Sequence, residues 1–187
     1  MRAPRVLEVV LEVFGDIWPG RHTRGGASLG DTWPHPAAQR HPDGPDDPSD
    51  GLVPFHKLSQ WLTYSLLEPI EDLGREVTDL GGLTGLAEYR NGGLFIDLGM
   101  LAPIDADVFE REHATDDELI VEWRALTVAL LDRVHARALA LLNLDAEAFP
   151  LARLLQGGTW AAGRDLARRR RPDGSPPLRL RRDGTAF

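Results

Sequence analysis

The stretch Leu83-Thr84-Gly85-Leu86-Ala87-Glu88-Tyr89-Arg90-Asn91-Gly92-Gly93-Leu94-Phe95-Ile96-Asp97-Leu98-Gly99-Met100-Leu101 decides how the rest of the chain is read. Inside an apolar frame it sets Glu88, Arg90 and Asn91 within four positions. Gly92 and Gly93 follow, where a second backbone or a ligand can come close. One reading is a buried helix whose Glu88 and Arg90 pair with partners elsewhere, Glu88 with Arg124 for instance. The other is a site in which a carboxylate and a cation face a bound molecule.

Outward from this stretch the pattern is mainly helical. Pro4 suits a first helical turn, and Val6, Leu7, Val10, Leu11 and Phe14 recur at helical spacing, so a helix is expected over 4–14. From Gly15 to Gly51 prolines and glycines are too frequent for a regular element. Gly15-Asp16-Ile17-Trp18-Pro19 and Gly30-Asp31-Thr32-Trp33-Pro34 supply anchoring tryptophans, whereas residues 37–51 have nothing to bury and are expected to be a mobile loop.

A second helix is expected from near Pro54 to about Glu68, where Pro69 discourages continuation. Phe55, Leu58, Leu62 and Leu66 form its core stripe. Another face carries Lys57, Trp61 and Tyr64, with Gln60 at its border, and suits either a pocket wall or a snorkelling surface. Ile70 to Leu80 reads as a short amphipathic helix or turn ended by Gly81-Gly82, and 102–114 as a loop.

Thr115-Asp116-Asp117-Glu118 is a capping-box pattern that opens the longest helix, running to Asn143. Leu119, Trp123, Leu126, Leu130, Val134, Ala138 and Leu141 keep its helical spacing, and Glu122 and Arg124 flank Trp123. A shorter helix from Asp145 or Pro150 is expected to close at Gly157-Gly158, with Thr159 capping one more to about Arg170. Turn residues at Asp173-Gly174 and Asp183-Gly184 frame a small C-terminal two-strand ribbon. The expectation is an all-α, mainly helical single domain over 1–187, with long irregular loops.

With 29 acidic against 21 basic residues the net charge is −8, which gives no field for nucleic acid or an anionic membrane. Eight of the 21 basic residues nevertheless fall between Arg164 and Arg182, a run able to hold a phosphate or to serve as a solvated tail. The absence of cysteine excludes disulfides and thiol nucleophiles and implies a reducing compartment. The apolar run at 5–14 is too short to cross a bilayer, so a cytoplasmic protein is expected. The six histidines are scattered, without a His-Glu-x-x-His, and no phosphate-cradling glycine motif occurs; neither a metal nor a cofactor is expected.

What remains is a cluster of acids, cations and aromatics on three helices: Lys57 and Gln60, then Glu88 and Arg90, then Glu122 and Arg124. Such a set suits hydrolysis of an N-glycosidic bond, in which a carboxylate steadies a cationic sugar or deprotonates water while aromatics stack on the base. It equally suits an ion-pair network that only locks helices together.

With those residues laid out, the chain resembles the uracil-catabolism family called URC-four or Urg-three, a former domain of unknown function. The matching segments are Gly30 to His35, Val53 to Leu66, Leu83 to Leu101, Val121 to Thr127, Gly157 to Arg164 and the closing Asp183-Gly184-Thr185-Ala186-Phe187. Members are about twice this long, and the chain looks like their C-terminal half.

The family is also distantly similar to queuosine-salvage nucleosidases, helical proteins akin to helix-hairpin-helix DNA glycosylases. Their Lys-Arg-Ala-Gln, Phe-Ala-Asp-Tyr-Arg-Val-Pro-Gln and Glu-Ile-Arg-Ala segments read here as Lys57-Leu58-Ser59-Gln60, Leu86-Ala87-Glu88-Tyr89-Arg90-Asn91-Gly92-Gly93 and Glu122-Trp123-Arg124-Ala125. The resemblance implies a glycosylase-like bundle and puts Glu88 on the catalytic aspartate and Lys57 on a substrate-contacting lysine. Further substrate contacts are expected at Gln60, at Trp61 or Tyr64 by stacking, and at Tyr89, Arg90, Asn91, Glu122 and Arg124. The acid is one methylene longer, and Asn91-Gly92-Gly93 in place of Val-Pro-Gln argues against queuine as the base. The implied activity is hydrolysis of a riboside or ribosyl-phosphate intermediate of uracil breakdown. The alternatives are a non-catalytic binding partner in that pathway and an inactive remnant.

Overall fold

A computed structural model describes residues 1–18, 20, 22–39 and 49–181. The chain opens with α1 (Ala3–Phe14), which carries Pro4 in its first turn and buries Ala3, Val6 and Val10. It packs along the second helix, so that Ala3 and Val6 share an apolar cluster with Leu67 and Leu83.

The segment after α1 is not free of regular structure, as its prolines and glycines suggest. It holds the two-residue hairpin β1 (Thr23–Arg24) and β2 (Ala27–Ser28), and then β3 (Thr32–Pro34), which pairs antiparallel with β4 (Leu52–Pro54), Trp33 opposite Val53. Strands of two or three residues are too short to show an alternating pattern. The β3–β4 ladder brings both ends of the 37–51 segment together. Residues 40–48, the larger part of the 37–51 stretch expected to be mobile, lie outside the described residues. Trp33 is 3% exposed, against Phe55, Ala87 and Val121.

α2 (Lys57–Asp72) starts three residues later than Pro54 and runs past Pro69. Pro54 is used in β4, and His56 takes a left-handed conformation, with φ 46°, before the helix can begin. Pro69 sits in the last turn, where its missing N–H forfeits only one helical bond. The buried side of α2 is Lys57, Ser59, Gln60, Thr63 and Leu67, while Leu58, Leu62 and Leu66 are only half-buried. The expected leucine stripe is thus displaced by a more polar one.

After the turn at Leu80–Gly82, the central stretch forms an extended lead-in and then α3 (Tyr89–Asp97). β5 (Glu112–His113) precedes α4 (Glu118–Leu142), whose C-cap Asn143 is left-handed. Asp117, not Thr115, stands at the N-cap; its Oδ2 accepts the Ala114 N–H at 3.1 Å. α4 buries Ile120, Val121, Trp123, Arg124, Thr127 and Leu131, a face rotated from the expected one, since Leu126 and Leu141 are exposed.

α5 (Leu151–Leu154) continues through a π turn at Leu155–Thr159 directly into α6 (Trp160–Arg170). Gly157-Gly158 therefore does not stop a helix, and Thr159 is helical rather than a cap. β6 (Arg179–Leu180) lies parallel to β5, so the C-terminal strand joins a distant segment instead of a local ribbon; residues 182–187 lie outside the described ones.

α3 is gripped from two sides by glycine contacts. A Cβ on Gly92 would lie 2.7 Å from Thr127 Oγ1 and 2.8 Å from Trp123 Nε1 on α4. A Cβ on Gly163 of α6 would overlap the Arg90 carbonyl oxygen. Only glycine permits these approaches, which fix where the residues at the head of α3 point. The described chain is predominantly helical with three two-stranded ladders. No helix among the described residues is long and apolar enough to cross a membrane.

Candidate functional site

The site is built on an internal ion pair between the loop before β3 and the second turn of α4. Arg124 Nη1 donates to Asp31 Oδ1 at 2.8 Å and Nη2 to Oδ2 at 2.7 Å. The guanidinium carbon stands 4.1 Å from the centre of the Phe55 ring, and Nε approaches the Ala87 carbonyl at 3.5 Å. Asp31 accepts two more bonds, from Trp33 Nε1 at 2.6 Å and from the Lys57 amide at 3.0 Å. Its carbonyl receives the amides of Phe55 and His56. Burial pushes the Asp31 carboxyl up, but the hydrogen bonds and charge of Arg124, helped by Lys57 and Trp33, more than offset it and hold the group below its ordinary value. Burial also depresses the nearby His56, against a raising influence from Asp31.

The start of α2, the lead-in to α3 and the body of α4 are thereby tied to one carboxylate. Arg124 is fully buried and offers no surface to a ligand. Its ion-pair partner is Asp31, where the ion-pair reading of the sequence offers Glu88 as one example. Sequence reading passed over Asp31 as a functional residue. Its signal was the Gly30-Asp31-Thr32-Trp33 run, an acid placed to cap its own turn and hold a tryptophan two residues on.

Glu88 is the N-cap of α3, and its Oε1 accepts the amides of Arg90 and Asn91, both at 3.0 Å. Glutamate is not among the preferred N-cap residues, because its longer side chain must fold back to reach those amides. That use of Oε1 fixes the direction of Oε2, which stands 4.0 Å from Arg90 Nη1 and makes no hydrogen bond among the described residues. Burial is the largest influence on Glu88 and raises its pKa; the two amides and the charges of Arg90 and Lys57 lower it without cancelling the rise. Lys57, only 8% exposed, thus lies close enough for its charge to be felt at Glu88.

Asn91 is fully buried, with Nδ2 donating to the Leu86 carbonyl at 3.3 Å and Oδ1 unpartnered. The Gln60 amide oxygen is likewise buried, and neither oxygen has a hydrogen-bond partner among the described residues. Tyr64 packs between apolar clusters, donates to the Thr84 carbonyl at 3.0 Å, and burial raises its phenol pKa. Trp61 is 56% exposed, and Glu122 is exposed on α4; neither shares a hydrogen bond, ion pair or ring contact with the other predicted residues among those described. The structure therefore gathers Glu88, Lys57, Tyr89, Arg90 and Asn91, and leaves Trp61, Tyr64 and Glu122 apart from them.

Arg90 links this carboxylate to a groove of about 300 Å³ between α3, α6 and the turn after α6. Its guanidinium carbon lies 4.8 Å from the Tyr89 ring centre and 4.7 Å from that of Trp160. On the far end of α3, Asp97 is bound in two-pronged fashion by Arg171, at 2.8 and 2.5 Å. The groove lining from α6 falls in the basic run read from sequence as able to hold a phosphate or to serve as a solvated tail; that it faces α3 was not legible there. Among the described residues no group of three or more histidines or carboxylates is placed to hold a metal ion.

A family profile described as "Protein of unknown function (DUF1688)" matches residues 1–187. "Protein urg3" of Schizosaccharomyces pombe is 43% identical over 175 residues, covering 91% of this chain and 41% of the relative. "Uracil catabolism protein 4" of Lachancea kluyveri is 40% identical over 202 residues, covering 97% of this chain and 45% of the relative. The chain thus spans less than half the length of these curated relatives. No solved structure matches it. Matched from end to end by that profile and at this identity by both relatives, the chain belongs to the DUF1688 family that includes the urg3 proteins.

Proposed function

We propose that this chain carries the sugar-proximal part of a site that hydrolyses an N-ribosyl bond in an intermediate of uracil breakdown. The name of the Lachancea relative supports the pathway, and Glu88 supports the chemistry. In such a reaction the C1′–N bond breaks with its electron pair leaving on nitrogen, and positive charge spreads over C1′ and the ring oxygen. Water adds at C1′, its proton passes to a base, and the departing nitrogen is protonated.

A carboxylate serves this either as counter-charge to the sugar or as the base. The observation that carries the reading is the environment of Glu88: one oxygen is immobilised on two helix amides, the other lies beside Arg90 with no hydrogen bond among the described residues, and burial raises the pKa. Such tuning moves a carboxylate toward the pH at which it can exchange protons. Lys57 and Arg90 favour its ionised form, and the Tyr89 ring centre lies 4.8 Å from the Arg90 guanidinium carbon. On this reading the helices follow the helix-hairpin-helix glycosylase arrangement as a single unit working in the cytoplasm.

A second reading has a specific observation behind it. Glu88 already has a structural task as cap of α3, which is sufficient reason for a binding protein without catalysis to hold a glutamate there. The experiment that separates the two is incubation of a full-length relative with candidate ribosides and ribosyl phosphates, followed by assay of free reducing sugar. Release of sugar that Glu88→Gln abolishes upholds the hydrolase. Substrate binding without release of sugar upholds the binder.

A further inference from the structure

From the groove between α3 and α6 we infer a binding site for a phosphate-class oxyanion, held by Arg164 and Arg168. The two residues are one helical turn apart on α6 and so project from the same face. Both line the groove, together with Arg90 and Arg171. Two neighbouring arginines are committed: Arg169 pairs with Asp165 at 2.6 Å and Arg171 with Asp97. Neither Arg164 nor Arg168 pairs with a carboxylate among the described residues.

The arrangement gathers like charges. Arg90 and Arg164 both approach the Trp160 ring, at 4.7 and 5.7 Å from its centre. Four arginines line the groove against two aspartates, and Asp97 is buried and already neutralised by Arg171. Asp173 is exposed, its carboxylate turned to the Ser175 amide at 3.0 Å. An excess of positive charge confined in a concave site is stabilised by an anion that brings several acceptor oxygens, and arginine forks match phosphate geometry.

The chain as a whole carries −8, so this is a local device rather than a generally basic surface. The groove volume of about 300 Å³ suits a small molecule. Arg90 touches both this groove and Glu88 Oε2, so an anion here would be continuous with the carboxylate. The inference rests on the hydrolase reading only for the suggestion that the oxyanion belongs to the substrate; the site itself stands without it.

The test is calorimetric titration of the chain with ribose 5-phosphate, inorganic phosphate and ribose. Saturable one-to-one binding of the phosphate compounds and none of ribose is expected. An affinity for ribose 5-phosphate at least about tenfold above that for inorganic phosphate assigns the oxyanion to a sugar phosphate. Equal affinities assign it to free phosphate.

Changing both Arg164→Gln and Arg168→Gln should weaken phosphate binding by about tenfold or more, as expected for losing charge-assisted hydrogen bonds, with the melting temperature held. Arg169→Gln should leave it unchanged. Absence of saturable phosphate binding, or equal weakening by Arg169→Gln and the double variant, overturns the site. Glu88→Gln separates the two proposals: it should slow sugar release in a full-length relative by about two to four orders of magnitude while phosphate still binds. Loss of phosphate binding in the double variant leaves the assignment of Glu88 untouched.

Discussion

Arg124 and Asp31, 93 positions apart, meet through two parallel N–H···O bonds of 2.8 and 2.7 Å, with the arginine fully buried. Truncating one partner strands the other charge in the interior, which typically costs about 3–5 kcal/mol. Asp31→Ala and Arg124→Ala should each destabilise the chain by that order, read as a lower urea midpoint. The double variant should fall well short of the sum, because the two changes remove the same interaction. A loss under about 1 kcal/mol in either single variant would show that the pair is incidental.

The two buried carboxylates should respond oppositely to pH. Asp31 has its pKa lowered on folding, so its contribution is complete above the unfolded value of about 4 and is lost as pH falls through the lower folded value. Glu88 has its pKa raised, so the unfolded chain ionises first and the contribution of Glu88 declines as pH climbs from about 4 through the folded value. The deficit of Asp31→Asn relative to the parent should therefore be largest at neutral pH and shrink in acid. Glu88→Gln should gain on the parent between acid and neutral pH. Parallel trends in the two variants would contradict these assignments.

In a full-length relative shown to release sugar, the substitution corresponding to Glu88→Gln should slow turnover by about two to four orders of magnitude with substrate still bound. Turnover near the parent rate would remove Glu88 from the chemistry and leave it as a helix cap alone.

Lys57→Met should raise the pKa of Glu88 further, since it removes one of the charges that favour the carboxylate. The expected readout is an alkaline displacement of the acid limb of the pH–rate profile. An unmoved limb, with only a lower melting temperature, would make Lys57 purely structural.

Gly163→Ala should cost about 1–3 kcal/mol, because the new methyl meets the Arg90 backbone, which cannot swing aside as a side chain would. Gly157→Ala, with nothing within 4 Å, is the control and should not destabilise. Equal urea midpoints for the two variants would mean that α6 simply shifts.

Some of this was legible from local spacing. α1 and the left-handed stop at Asn143 follow from residues that are neighbours in sequence. Gly92 was readable as a place of close approach, though not that its partners would be Trp123 and Thr127. The inward face of α2 was not readable, because leucines at 58, 62 and 66 compete with Lys57, Gln60 and Thr63, and the winner is set by packing partners elsewhere. Asp31 binds a residue 93 positions away, a relationship that no periodicity encodes. Glu88 and Arg90 stood out correctly as neighbours, but the groove beyond Arg90 needs α6 brought against α3, which depends on Gly163 lacking a side chain.

The π turn at Leu155–Thr159 gives the arginine groove an unexpected dependence on phase. Each α-helical residue advances the side-chain direction by about 100°, so a widened turn resets the angle between everything before it and everything after it. Leu151 and Leu155 are anchored beside Phe95 and Leu131, while Gly163 must meet Arg90 and Arg164 must face outward. Removing a single residue at Gly157-Gly158 and letting the helix close into regular turns would rotate one set against the other. The glycines that look like a place to end a helix thus work as an angular spacer, and the direction in which α6 aims its charges is written upstream of the charges themselves.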